Sequence, residues 1–203
     1  MAKLAQLKFN DLAPDLEVLT AAGESIRLST LWSERVLILF FVRHFGCPQC
    51  KEMLDVLLQA KMDMDRAGLE MAAVTQGTPE QALAFCQQRL PGVRCLADPE
   101  RKVYRAYGLD KGSLWQVLLS PGIWAANRRA ARKGYKPEIP PPGQSTRQMS
   151  GVFIIGTDGR IRLPYYYSDI SDHPPAELLL EGFLGMSWEH PFNTPIHEEK
   201  PSE

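Results

Sequence analysis

Long apolar runs are missing from this chain of 203 residues. Its most continuous apolar stretch, Val36 to Val42, falls far short of the roughly 20 residues that a membrane-spanning helix needs. The first residues, MAKLAQLKFNDLAP, hold neither an apolar core nor a small-residue cleavage site, so no secretory signal is read there and a cytoplasmic location is expected. An excess of one charge is missing too. Lys and Arg number 23 against 24 Asp and Glu, a formal net charge of −1, which gives no global attraction for nucleic acid or for an acidic membrane. Cysteine is scarce, at four residues, and neither a second CxxC nor an HxxxH accompanies the first pair. A structural zinc site, which wants four ligands, is therefore poorly provided for.

What is present is an alternation of strand and helix signals. Ala13 to Leu19 and Gly23 to Leu28 read as two short strands about a turn, and Ser29 to Trp32 as one helical turn. Val36 to Val42 fits a strand buried on both faces, as in a parallel sheet. From Cys50 to Ala67 the pattern is helical, with Met53, Leu54, Leu57, Leu58 and Met64 on one stripe and Gly68 as the stop. Leu69 to Thr75 is the next strand. Thr78-Pro79-Glu80-Gln81 then reads as a capping box with proline at the first helical position, opening a helix to about Arg89. Val93 to Ala97 is a short strand, and Asp98-Pro99-Glu100 opens a helix ending near Gly108.

Residues 113–143 interrupt this rhythm. Two helical pieces, Leu114 to Leu119 and Ile123 to Lys133, precede the stiff loop Pro140-Pro141-Pro142-Gly143. Gly151 to Ile155 and Ile161 to Tyr167 are strands about the hairpin turn Thr157-Asp158-Gly159-Arg160, and a last helix runs from Pro175 to Met186. The order implies an α/β fold with a parallel core sheet and a late antiparallel hairpin. One domain is expected over residues 1–189, with a helical insertion at about 113–143 and a flexible tail at 190–203.

Cys47-Pro48-Gln49-Cys50 lies where the buried strand gives way to the long helix. A helix start offers unpaired N–H groups and a partial positive charge, both of which favour a thiolate over a thiol. Pro48 suits the first helical turn. Arg43 and His44 either add positive charge to the cysteines or belong to a solvated loop. A redox pair is the leading reading of Cys47 and Cys50; half a metal site and two inert cysteines are the others. Cys86 and Cys95 read as small core residues. Arg128, Arg129, Arg132, Lys133 and Lys136 read as a solvated helix face. Leu114, Trp115, Leu118, Ile123 and Trp124 read as core packing, with a cover over the redox site or a homodimer surface as alternatives. Asp169, Asp172 and His173 read as a turn and helix cap.

Strand, CxxC, helix, strand and closing hairpin together resemble the thioredoxin fold. FFVRHFGCPQCKE and SGVFIIGTDGRIRLPYYYSDISDHPP resemble, more narrowly, the AhpC/TSA peroxiredoxin-like families, in particular the peroxiredoxin-like 2, or AhpC/TSA antioxidant-domain, branch. The resemblance covers about residues 9–187. It implies a three-layer α/β/α sandwich with a mixed central sheet. It also implies a thiol-disulfide oxidoreductase that reduces peroxides or disulfides without a cofactor, recycled by a thiol reductant such as thioredoxin or glutathione. Two alignments of the pair are open. Against thioredoxins, Cys47 is the exposed nucleophile and Cys50 the more buried resolving cysteine. Against peroxiredoxins, Cys50 is the peroxidatic cysteine and Cys47 replaces a threonine. Arg147 stands near, though not at, the place of the peroxiredoxin arginine, and Met149 or Ser150 stands where thioredoxins carry a cis-proline. A non-catalytic redox-sensing or binding module is the alternative function.

Overall fold

The apolar run from Val36 becomes the central strand, and all six of its residues, Val36–Phe41, are buried. That is the two-sided burial its composition predicts, and it explains why no polar residue interrupts it. The computed structural model describes residues 4–113, 121–181 and 188. In chain order the strands are β1 (Glu17–Thr20), β2 (Ser25–Arg27), β3 (Val36–Phe41), β4 (Leu69–Thr75), β5 (Arg94–Ala97), β6 (Gly151–Ile155) and β7 (Ile161–Tyr166). They form one mixed sheet in the order β2-β1-β5-β4-β3-β6-β7. β3, β4 and β5 run parallel, while β6 lies antiparallel to β3 with Leu39 opposite Phe153. Pro164 sits in β7, at the sheet edge, where a missing N–H is tolerated.

Helices cover both faces. Along β3, Val36, Ile38 and Phe40 point into one core with Met53, Leu54 and Leu57 of α1 (Pro48–Arg66). Cys86 of α2 (Pro79–Arg89), Ile123 of α4 (Pro121–Arg132) and Leu179 of α5 (Ala176–Glu181) join the same core. Leu37, Leu39 and Phe41 point into a second core with Leu28, Leu31 and Trp32 of the first helical turn and Val103 and Tyr104 of α3 (Lys102–Ala106). Phe41 anchors that side, its ring 5.0 Å from Tyr104 and 5.6 Å from Phe153. Both contacts are edge-on, the geometry that places a positive ring edge on a negative ring face. The outcome is three layers, α/β/α, as expected.

Local signals set most boundaries. Thr78 and Gln81 form the predicted capping box of α2. Gly68 adopts φ +76° just after α1 and ends it. α3 begins at Lys102 rather than at the expected Asp98-Pro99-Glu100, and Asp98 accepts from the backbone N–H groups of Lys102, Val103 and Tyr104 in its first turn at 2.8 to 3.3 Å. The helical piece expected at Leu114 to Leu119 and the tail at 190–203 lie outside the described residues.

One expectation is overturned. Cys86 and Cys95 are not separate core thiols: their sulfurs are bonded, with Cα atoms 6.5 Å apart. The bond ties α2 to β5 across the Pro91-Gly92 turn. The pairing was invisible in sequence because it depends on how α2 lies against the sheet.

Candidate active site

β3 ends at Phe41, and the chain turns through Val42 to Gly46 before α1 begins. Three contacts hold this turn. The Tyr104 hydroxyl shares its one proton between the carbonyls of Val42 and Val74, at 2.5 and 2.9 Å, bridging the ends of β3 and β4. The Gln76 amide donates to the Arg43 carbonyl and, at 3.1 Å, to the Ser145 carbonyl; its oxygen accepts from the Ser145 N–H. Phe45 stacks on Phe85 of α2 with ring centroids 4.1 Å apart. Gln76 is a site residue that sequence reasoning missed. The available signal was its position just beyond the carboxyl end of a strand read as parallel, where α/β folds place their sites; its burial is seen only in the structure.

Cys47 is the N-cap of α1, and Pro48 is its first helical residue. The Cys47 sulfur accepts from the Cys50 N–H at 3.4 Å, the role a serine or aspartate oxygen plays in most caps. Arg43 points Nη1 at the same sulfur, 3.5 Å away, while its Nε and Nη2 donate to the Thr146 carbonyl. The Cys47 thiol in turn is oriented toward the Gln49 amide oxygen at 3.4 Å.

These contacts divide the two cysteines electrostatically. Burial alone would hinder ionisation of Cys47. The hydrogen bond from Cys50, the Arg43 charge and the helix-start N–H groups outweigh it and bring the Cys47 pKa down to about 6. The Cys50 thiol moves the opposite way: its proton is shared with Cys47, it is buried, and a negative Cys47 opposes a second charge beside it.

Both supporting residues upstream are buried, at 6% exposure for Arg43 and 7% for His44, so the solvated-loop alternative is wrong for both. Their contributions differ. Arg43 supplies charge to the sulfur. His44 does not: burial, then the Arg43 and Lys51 charges, hold its pKa down to about 3, so the ring is neutral. Arg147 is exposed, and its guanidinium donates to the Gly112 carbonyl at 2.9 and 3.1 Å rather than to either sulfur. The place near the thiol that Arg147 was expected to support is filled by Arg43 instead.

The exposed Cys47 that the thioredoxin alignment implies is not found. Its exposure is 0% and that of Cys50 is 2%. α4 and the strap that follows it, residues 134–147, close over them. Gln49 donates to Asn127 of α4, and Glu52 pairs with Arg129 and Lys133 at 3.1 and 2.8 Å. Arg129 and Lys133 are thus ion-paired members of the basic cluster rather than a free solvated face. Farther along, the Glu138 N–H donates to the Gly46 carbonyl and Lys51 pairs with the Glu138 carboxylate at 2.6 Å. The approach is close: a Cβ on Gly46 would lie 1.8 Å from the Glu138 carbonyl oxygen. Phe45 N–H donates to Gln144 in the same strap. Beside the cysteine loop, α4 and this strap bound a cleft of about 770 Å³ whose walls include Ile123, Trp124, Tyr135 and Ile170 together with Arg43 and Arg147. Trp124 is 70% exposed, so the core-packing reading holds for Ile123 but not for it; Leu114, Trp115 and Leu118 lie outside the described residues.

A mixed sheet whose central parallel strand delivers a cysteine pair to the start of a long helix defines a thioredoxin-fold protein of the peroxiredoxin type. Among solved structures, reduced Prx3 from Vibrio vulnificus, in complex with H2O2, has this fold, superposing with a TM-score of 0.64 at 15% identity over 86% of this chain and 97% of that one. Residues 9–163 match the AhpC/TSA family model, and the chain belongs to that family. Peroxiredoxin-like 2C of Bos taurus is 25% identical over 176 residues, covering 82% of this chain and 76% of the relative. Prostamide/prostaglandin F synthase of Danio rerio is 31% identical over 173 residues, covering 83% of each. No described helix is long and apolar enough to cross a membrane.

Proposed function

We propose that this protein is a thiol-dependent peroxide reductase in which Cys47 attacks and Cys50 resolves. The carrying observation is the split between two adjacent buried sulfurs, one capping the helix and facing Arg43, the other with its thiol pKa raised by its neighbour. The Cys47 thiolate attacks one oxygen of a peroxide ROOH; the O–O bond breaks, a proton goes to the leaving oxygen, and ROH departs from a Cys47 sulfenic acid. Cys50 then attacks the Cys47 sulfur, giving the disulfide and water. A dithiol such as thioredoxin, or two molecules of glutathione, returns the two electrons. The same pair exchanges with disulfides by the same first step.

The largely apolar cleft beside Gly46 and Pro48 favours a peroxide carrying a hydrocarbon body over hydrogen peroxide alone. A relative named as a prostamide/prostaglandin F synthase is in keeping with that preference. The test is peroxide consumption with a recycling reductant by wild type, Cys47→Ser and Cys50→Ser. Cys47→Ser is expected to be inert and Cys50→Ser to consume one equivalent without its partner's disulfide. A reversal of the two phenotypes refutes the assignment.

The closed state of both sulfurs favours a second reading, a redox-sensing module whose oxidation loosens α4 from α1. A sensor oxidises once and shows no sustained consumption in the same assay.

A further inference from the structure

The cleft beside the cysteine loop is apolar along one wall and unevenly charged along the other. α4 turns Ile123, Trp124, Asn127 and Ala131 toward it, positions three and four apart that share one helix face. The groups there that carry or take up charge near neutral pH are Arg43, His44, Glu138 and Arg147. Three of them are committed. Arg43 points Nη1 at the Cys47 sulfur, 3.5 Å away, and gives Nε and Nη2 to the Thr146 carbonyl. The Glu138 carboxylate pairs with Lys51 at 2.6 Å. His44 is neutral, chiefly through burial.

Arg147 is the exception. Its Nε and Nη2 donate to the Gly112 carbonyl at 3.1 and 2.9 Å, while Nη1 makes no hydrogen bond and the side chain no ion pair among the described residues. The remaining N–H groups suffice for a carboxylate, which accepts two parallel bonds from a guanidinium. The Gly112 carbonyl already fixes the guanidinium, so less side-chain freedom is left to lose when a ligand binds. A cation without a counter-charge, set in a mostly apolar cleft, matches a single negative charge on a hydrocarbon body.

We propose that Arg147 is the specificity-determining residue of this cleft, holding the carboxylate of an amphipathic acid whose chain lies against Ile123 and Trp124. The inference deepens the function proposed above, and as a substrate assignment it rests on that reading: the peroxide reduced carries a carboxylate. The chain path supports the placement. Thr146, whose carbonyl receives the Arg43 guanidinium, immediately precedes Arg147. The anchor for the head group and the cation beside the sulfur are thus held by consecutive residues of the strap. Their tasks are separate. An anion drawn to Arg43 would compete with the Cys47 thiolate for one charge and raise the thiol pKa. Arg147 gives the head group a different cation and leaves Arg43 to the sulfur.

The test uses the full chain, decanoate and decanol as probes, and Trp124 as the reporter. Trp124 lines the cleft at 70% exposure, so an alkyl chain laid against it alters its fluorescence. Decanoate is expected to bind at least about fivefold more tightly than decanol at low salt, with the difference shrinking as salt rises. Arg147→Gln is expected to bind the two equally, and Arg147→Lys to keep part of the preference. Trp124→Phe is expected to lose the signal, and calorimetry reads the affinities without it. Equal affinities in wild type, a preference that survives Arg147→Gln, a signal that survives Trp124→Phe, or no binding of either probe overturns the anchor. The kinetic counterpart compares a fatty-acid hydroperoxide with its methyl ester. Arg147→Gln is expected to raise KM for the acid relative to the ester by the same factor, with the ratio of their kcat values as in wild type. A fall in kcat shared by both peroxides, with the KM ratio unchanged, marks a structural role and overturns the assignment. Unselective binding by a wild type that consumes both peroxides overturns the anchor and leaves the cysteine cycle standing. Selective binding by a wild type that consumes neither overturns the cycle and leaves the carboxylate site standing.

Discussion

Replacing Arg43 by methionine removes the guanidinium but keeps a long apolar stem in a buried position. Nη1 stands 3.5 Å from the Cys47 sulfur. At that distance and an effective dielectric of about 20, opposite unit charges attract by roughly 5 kcal/mol. The guanidinium charge is delocalised and partly turned toward the Thr146 carbonyl, so roughly half of that, about 2–3 kcal/mol, is expected to reach the sulfur. This corresponds to a rise of about two pH units in the Cys47 pKa. The native value is about 6, so the thiolate fraction at pH 7 falls from about nine-tenths to about one-tenth. The assay is thiolate ultraviolet absorbance against pH, paired with iodoacetamide alkylation rates. Arg43 also tethers the strap through Thr146, so Gln144→Ala serves as a control that loosens the strap at Phe45 while leaving the charge in place. A titration midpoint in Arg43→Met equal to that of wild type, or an equal rise in Gln144→Ala, refutes the electrostatic argument.

Because the folded Cys47 pKa is depressed from an ordinary thiol value of 9.0 to about 6, its contribution to stability is fully present above pH 9 and is lost as pH falls through 6. Stability is therefore expected to climb as pH rises from 6 toward 9, and denaturant titrations of Cys47→Ser should lack that climb. The raised Cys50 thiol acts oppositely, its contribution being lost at alkaline pH above the ordinary thiol value. Gly46→Ala drives a Cβ into the Glu138 carbonyl; the strap should lift, with thermal stability reduced by about 1–3 kcal/mol and Cys47 alkylated faster, and unchanged alkylation would contradict the covered site. Replacing Cys86 and Cys95 together by alanine opens a loop whose ends are nine residues apart. A loss of roughly 2–3 kcal/mol in urea unfolding is expected, and four free thiols in the unreduced, denatured wild type would refute the bond.

Much of the scaffold was readable in the chain because its signals are local. The even burial of β3 follows from an uninterrupted apolar run, the start of α2 from a capping box, the end of α1 from Gly68, and the redox candidate from a CxxC at a strand-to-helix junction. Each depends on residues within a few positions of one another. What the sequence left open depends on contacts across long separations. Two cysteines three apart are symmetric in sequence; their inequality comes from Arg43 folding back onto one sulfur and from the helix start, which together favour charge at Cys47. Arg147 and Arg43 are equally plausible partners by residue type, and only the path of the strap, which offers the Thr146 carbonyl to Arg43 and the Gly112 carbonyl to Arg147, separates them. Gln76 carries no motif at all, and it matters only because the end of β4, the cysteine loop and the Ser145 backbone meet at one rim of the sheet. The same holds for the bond between Cys86 and Cys95. Periodicity and capping report the chain's local preferences, whereas electrostatics and burial are set by neighbours that only tertiary packing supplies.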